Sequence, residues 1–142
     1  MKRLDLYAQH SQPAAPWTRI EMLLAAYEGI TSRLERARIL LDQDETIQAQ
    51  PLLLRSQQLI LALYEGIDLR YGQIPENMQK LYLFVLTCIG MGPKLDLPAA
   101  LEILYRIRQG LESIRGSASE MERRGELSPV LEDPRLLKHI EA

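Results

Sequence analysis

The stretch TRIEMLLAAYEGITSRLERARILLD, Thr18 to Asp42, decides the fold of this chain. It opens on a capping box. The Thr18 hydroxyl can accept from the Glu21 N–H, and the Glu21 carboxylate can reach back to Thr18. Apolar positions follow at Ile20, Leu23, Leu24, Tyr27, Leu34, Ala37 and Leu41. Steps of three and four are the period of a helix with one buried stripe. The spacing predicts a helix over 18–42, ended by Asp42-Gln43-Asp44. Within it stands Tyr27-Glu28-Gly29-Ile30, and the same four residues return as Tyr64-Glu65-Gly66-Ile67. Both copies fall in stretches that read as helix, where a glycine costs about 1 kcal/mol relative to alanine. Residues two apart on a helix point about 200° from each other. Each glycine therefore faces away from its tyrosine, where a missing side chain lets a neighbouring helix or a bound segment approach. The flanking residues match weakly and no third copy exists, so a repeat architecture is not expected.

Working outward, three more amphipathic segments follow. A second helix is expected from Glu45 to Leu69, with Leu53, Ser56, Ile60, Leu63 and Ile67 on its apolar face. Pro51 kinks it or marks its start, because proline removes an interior hydrogen bond. Tyr71-Gly72-Gln73 is a break. Pro75 suits the first turn of a third helix, whose expected buried stripe is Met78, Leu81, Tyr82, Val85, Leu86 and Ile89. Gly90-Met91-Gly92-Pro93 stops it. Asp96 is the expected N-cap of a fourth helix, with Pro98 in its first turn. Leu101, Leu104, Tyr105, Ile107, Leu111 and Ile114 continue the pattern. No segment alternates with the period of a strand. The expected fold is all-α: an antiparallel four-helix bundle over 18–115. An N-terminal arm (1–17) with Pro13 and Pro16 precedes it. A polar, charged C-terminal tail (116–142) follows from Gly116-Ser117, with a short fifth helix near Leu131 to Ile140.

Composition narrows the function. The 142 residues are 46% hydrophobic and 25% charged, with 17 Lys+Arg against 19 Asp+Glu and a formal net charge of -2. That balance, without a basic block, argues against nucleic acid. A single cysteine, Cys88, excludes an internal disulfide and a multi-cysteine zinc site. It sits in an apolar stretch and reads as a buried structural thiol. The N-terminus lacks the apolar run of a signal peptide. The longest apolar run, Leu81 to Met91, is too short for a bilayer. A cytoplasmic protein without membrane insertion is expected. No catalytic, metal or cofactor site is expected. His10 and His139 have no partners at ligand spacing, no Glu-x-x-His pair of a di-iron bundle occurs, and Gly90-x-Gly92 is no phosphate loop. The six tyrosines either edge the core or line a groove for a partner, where tyrosine offers large area at low entropy cost.

Four stretches together resemble the FliS-type flagellar secretion chaperones. TRIEMLLAAYEG (18–29) is similar to the family's opening helix: a Ser or Thr cap, aliphatics, then Tyr-Asp-Gly or a variant. RSQQLILALYEGID (55–68) is similar to its second helix. GQIPENMQKLY (72–82) resembles its turn and third helix through Ile74, Asn77, Met78, Leu81 and Tyr82. Asp96 to Leu111 matches the fourth helix in pattern. Tyr7 corresponds to a tyrosine of the family's N-terminal arm. Arg19 stands where a proline usually follows the cap, Leu111 where a tryptophan is common, and the tail after Ser117 has no counterpart. The resemblance implies a monomeric or weakly dimeric export chaperone. Its partner would be the C-terminal segment of flagellin, kept from premature polymerisation, and flagellar export apparatus components are further candidate partners. It points to Tyr7, Tyr27, Gly29, Ile60, Tyr64, Leu81 and Tyr82 as lining or supporting the client groove, with the arm lying over the groove when empty. The reading from another class is a helical dimerisation or regulatory module without a secreted client.

Overall fold

The computed structural model describes residues 17–67, 73–90, 92 and 95–125. They form four α-helices and, among the described residues, no strand: α1 (Arg19–Asp42), α2 (Thr46–Glu65), α3 (Gln73–Ile89) and α4 (Leu97–Arg123). Consecutive helices pack on each other, and α1 closes the ring against α4. Residue pairs along the closing seam run in opposite order, Thr18 with Ser119, Glu28 with Arg108 and Glu35 with Tyr105. The two helices are therefore antiparallel.

The helix ends follow local chemistry. At the start of α1, the Thr18 N–H and hydroxyl both donate to the Glu21 carboxylate, at 2.9 and 2.8 Å. This is the reach-back half of the capping box. At its end Asp44 takes a left-handed φ of 58°. The Asp44 N–H donates to the Leu41 carbonyl and the Glu45 N–H to the Leu40 carbonyl. That pair of bonds is a Schellman motif, with aspartate tolerating the conformation usually given to glycine. Three residues then suffice to start α2. Pro51 lies inside α2 rather than at its start. The carbonyl it leaves without a helical partner belongs to Ile47, whose residue is 82% exposed, so water can serve it. Asp96 caps α4, accepting from the Ala99 N–H at 3.1 Å.

Three expectations are corrected. First, α2 stops at Glu65, and Gly66 is its C-cap with an ordinary αR φ of -82°. The second glycine of the repeated tetrapeptide is thus not in a helix interior. Second, α4 does not end near 115 but runs through Gly116-Ser117 to Arg123, because Ser119 and Glu122 have partners at the head of α1. Third, Leu81 lies outside the buried stripe of α3, at 37% exposure. The expected fifth helix falls outside the described residues.

The core is contributed by all four helices: Tyr27, Ile30 and Leu34, then Leu53 and Ile60, then Tyr82, Val85 and Ile89, and Leu104. Among the described residues no buried side-chain nitrogen or oxygen lacks a hydrogen-bond partner. The polar groups inside the bundle are thus satisfied by the chain itself. No described helix is long and apolar enough to cross a membrane.

Candidate functional site

The two flanks of α4 decide where a partner can bind. Tyr105, Arg108 and Ser119 touch α1, which fixes the flank turned to that helix. Ile103, Ile107, Ile114 and Met121 fall on the opposite flank at helical spacing. That flank faces α3, the other neighbour of α4. Ile103, Ile107 and Leu111 pack against the core and remain partly open. Ile114 is 50% exposed and Met121 is also exposed. On α3 the matching row is Ile74, Leu81 and Cys88, at steps of seven. Cys88 ends the row beside the N-cap of α4. The Asp96 N–H donates to the Cys88 carbonyl. Burial pushes the Cys88 thiol up and the Asp96 carboxylate adds to the shift. The row therefore faces α4. Ile74 at 74% and Leu81 at 37% stay open to solvent, with the half-buried Met78 beneath them. The result is an apolar seam between α3 and α4 whose rim is nonpolar on both sides. Phe84 extends the exposed surface round α3, and Ile47, Leu54 and Leu61 form a separate exposed row on α2.

A concavity of about 770 Å³ lies over α1, with Arg108, Glu112 and Arg115 of α4 also on its wall. Glu21, Glu28, Arg33, Arg36, Arg108 and Arg115 are on its walls, together with Trp17, Leu24 and Leu52. Its charges suit an oily segment poorly, since each charge covered by apolar matter needs a partner or loses hydration.

The expected site residues divide. Tyr27, Ile60 and Tyr82 are core residues with almost no exposure. The Tyr27 and Tyr82 hydroxyls bond to each other across the bundle. Burial pushes Tyr82 up to about 12 and raises Tyr27 well above its ordinary range. In this conformation these three support a surface and do not line one. Tyr64 is partly buried against the core. Gly29 lies on the wall of the charged concavity, under the Arg33 guanidinium that donates to its carbonyl at 2.9 Å. Its neighbour is thus an arginine tip rather than a second backbone, which corrects the steric expectation. Leu81 is on the rim of the apolar seam. Tyr7 and the arm lie outside the described residues. The sequence reading did not single out Ile74, Phe84, Ile114 and Met121 as exposed residues. The signal was present as seven-residue rows, Ile74–Leu81 and Ile107–Ile114–Met121, offset from the core stripes.

Among the described residues no cluster of His, Cys, Asp or Glu could hold a metal ion. Among the described residues, four packed helices form a helical bundle with an exposed apolar rim between α3 and α4. The chain belongs to the FliS flagellar protein family, whose model matches residues 5–122. That places it among the flagellar export chaperones. No curated relative and no solved structure matches.

Proposed function

We propose that this chain is a cytosolic chaperone that binds the C-terminal segment of flagellin as an amphipathic helix laid along the α3–α4 seam, and so blocks premature polymerisation before export. One observation carries the reading: Ile74, Leu81, Ile114 and Met121 stay exposed along one side of the bundle, apart from its buried core. An apolar seam flanked by helices suits helix-in-groove docking. Covering one leucine-sized side chain contributes about 1.5–3 kcal/mol, while ordering a disordered segment costs about 2–5 kcal/mol or more. Several rim residues must therefore be covered together, which favours a segment of several turns over a short peptide. Leu81 and Tyr64 are assigned to contact, and Tyr27, Ile60 and Tyr82 to holding the rim in place. Gly29, on the charged face, is left as a secondary contact.

Calorimetric titration with the C-terminal flagellin segment tests this. Saturable one-to-one binding that is lost in Leu81→Glu/Ile114→Glu, with the melting temperature held, is the expected result. Equal binding by both chains would remove the seam from the reading. The dimerisation alternative places a second copy on the same rim. Light scattering across a concentration series decides it, since a chaperone of this kind stays small while a dimerisation module grows in mass.

A further inference from the structure

We propose that the outer face of α2 is a self-association surface, on which two copies of this chain pair antiparallel through Ile47, Leu54 and Leu61 in a register centred on Leu54. The pairing goes beyond the chaperone reading and leaves the α3–α4 rim free, because α2 packs on α1 and α3 and lies diagonally from α4.

The face is apolar where the folded chain covers nothing with it. Ile47, Leu54 and Leu61 are all exposed, from 44% to 82%. They recur at steps of seven, on the side of α2 away from the buried Leu53, Ser56, Ile60 and Leu63. Apolar residues at that period form the seam of two paired helices.

Symmetry and charge name the partner. The exposed Gln50 and Gln58 fall between the apolar residues, so the face reads Ile47, Gln50, Leu54, Gln58, Leu61. Apolar and amide positions are equally spaced about Leu54, with Ile47 and Leu61 each about 10.5 Å from it along the axis. An antiparallel copy therefore sets Leu54 on its own equivalent, Ile47 on Leu61 and Gln50 on Gln58, each twice. That contact is isologous and closes at two subunits. Amide meets amide, and each can both donate and accept. Arg55, half-buried, is the single charge from Thr46 to Tyr64, whereas α1 and α4 carry ion pairs on their exposed faces. An uncharged strip offers a charged partner nothing to pair with. Antiparallel order also places opposite ends of the helix macrodipole side by side. The opposing effect lies at the two ends of the face, where Glu45 approaches the second copy's Glu65; added salt screens that repulsion. A single helix pair makes a small interface, below the roughly 1,200 Å² of stable complexes. The dimer is therefore weak and concentration-dependent.

Sedimentation equilibrium across a concentration series tests the pairing. The full chain is expected to pass reversibly from its 16.3 kDa monomer toward twice that mass, and to do so more readily in added salt. Leu54→Lys should stay monomeric with its melting temperature held. Gln50→Lys/Gln58→Glu reads the register. Antiparallel pairing sets each new lysine opposite a new glutamate and tightens the dimer up to roughly tenfold, whereas a parallel pair sets like charges together and loosens it. A full chain that is monomeric at every concentration overturns the inference. So does a dimer that persists in Leu54→Lys, or one loosened by Gln50→Lys/Gln58→Glu. Growth in mass is assigned by the variant that abolishes it: Leu54→Lys for α2, Leu81→Glu/Ile114→Glu for the rim, and loss in the rim variant alone overturns the inference. Calorimetry with the flagellin C-terminal segment should give Leu54→Lys the affinity of the full chain. Lost affinity, at concentrations where both chains are monomeric, gives the face to the client and also overturns it. A chain that pairs through α2 and binds no flagellin ends the chaperone reading and leaves the pairing standing.

Discussion

The two long flanks of α4 are built from opposite materials. Against α1 the seam is closed by polar pairs at every level. The Thr18 and Ser119 hydroxyls meet at 2.8 Å, Glu122 takes the Arg19 N–H at 3.0 Å and the Arg19 Nε at 3.1 Å, Arg108 reaches Glu28 at 2.9 Å, and Tyr105 donates to Glu35 at 3.2 Å. Because the Thr18 hydroxyl donates its single proton to Glu21, the Ser119 hydroxyl must be the donor to Thr18. Against α3 the rim is isoleucine, leucine and methionine, and among the described residues no side-chain hydrogen bond or ion pair crosses it. Exposed ion pairs such as Arg108–Glu28 contribute about 0–1 kcal/mol each, while Arg19–Glu122 and the Thr18–Ser119 hydroxyls lie at the more buried end of the seam. What they supply is register and a surface that an oily segment gains nothing by covering. The α3 seam has the reverse character: it loses nothing by opening to a partner and gains by being covered.

The largest effect should come from the tyrosine pair beneath both flanks. Tyr82→Ala removes a fully buried ring and is expected to cost about 3–5 kcal/mol in chemical denaturation, the range for large aromatic truncations. A loss below 1 kcal/mol, with client binding abolished, would move Tyr82 from support to rim. The pair also makes the fold sensitive to alkali. A raised folded pKa gives stability that is complete below pH 10, the ordinary tyrosine value, and is lost as pH rises toward about 12. Next in size is the seam itself. Leu81→Glu/Ile114→Glu should weaken flagellin-segment binding at least a hundredfold, about 2.7 kcal/mol, and leave the melting temperature within a few degrees. The matching pair on the closed side, Glu28→Gln/Arg108→Gln, should leave affinity within about twofold. Similar losses from both pairs would erase the distinction between the flanks.

How much of this was legible follows from where the information is written. Helix identity is local. The Thr18–Glu21 box, the Asp96 cap and the three-and-four spacing lie within a turn or two of chain, and the structure returns all four helices. The repeated tetrapeptide shows the limit. Tyr27-Glu28-Gly29-Ile30 sits mid-helix with Tyr27 and Ile30 fully buried, whereas Tyr64-Glu65-Gly66-Ile67 straddles the end of α2 with Tyr64 and Ile67 only partly buried. Identical letters diverge because burial depends on what lies across the bundle. Of the expected site residues in the described part of the chain, Leu81 is the one on the open rim proposed for the client. Tyr27, Ile60 and Tyr82 attract attention as large apolar residues, but that quality draws them into the core equally well. The open rim depended on which flank of α4 the polar residues of α1 would claim, a contact about a hundred residues distant in sequence. The length of α4 was misjudged for the same reason: Gly116-Ser117 looks like a helix stop until Ser119 and Glu122 find Thr18 and Arg19.

The latch at the head of α1 gives a smaller and more specific effect. Ser119→Ala removes a buried hydroxyl that donates to Thr18 and should cost about 1 kcal/mol, read as a lower urea midpoint at unchanged slope. Acid should weaken the same end. Burial works against the Glu21 carboxylate, but the Thr18 N–H and hydroxyl bonds together with Arg123 and Arg115 outweigh it and lower its pKa. A depressed folded pKa gives stability that is present above the ordinary carboxylate value of 4.5 and lost as pH falls through the folded one. The difference in stability between wild type and Glu21→Gln should therefore shrink below pH 4.5. A difference that stays constant down to pH 2 would show that the charge contributes nothing there.

Gly29→Ala should have the smallest effect and the opposite sign. A Cβ at this position would meet only the Arg33 Nη1, at 3.0 Å. That atom is the far end of a flexible, partly buried side chain, so it can move aside at little cost. The bond it gives up to the Gly29 carbonyl is one an arginine readily replaces with water. Against this stands the helix propensity gain, about 1 kcal/mol for alanine over glycine in a helix interior. The net expectation is a stabilisation of up to about 1 kcal/mol, with flagellin-segment affinity unchanged because the residue lies on the charged face of α1 and not on the apolar seam. Destabilisation would mean that the Arg33 guanidinium is fixed in place by its other contacts. Lost affinity with intact stability would mean that a client reaches round α1, and that the closed side of the bundle is a binding surface after all.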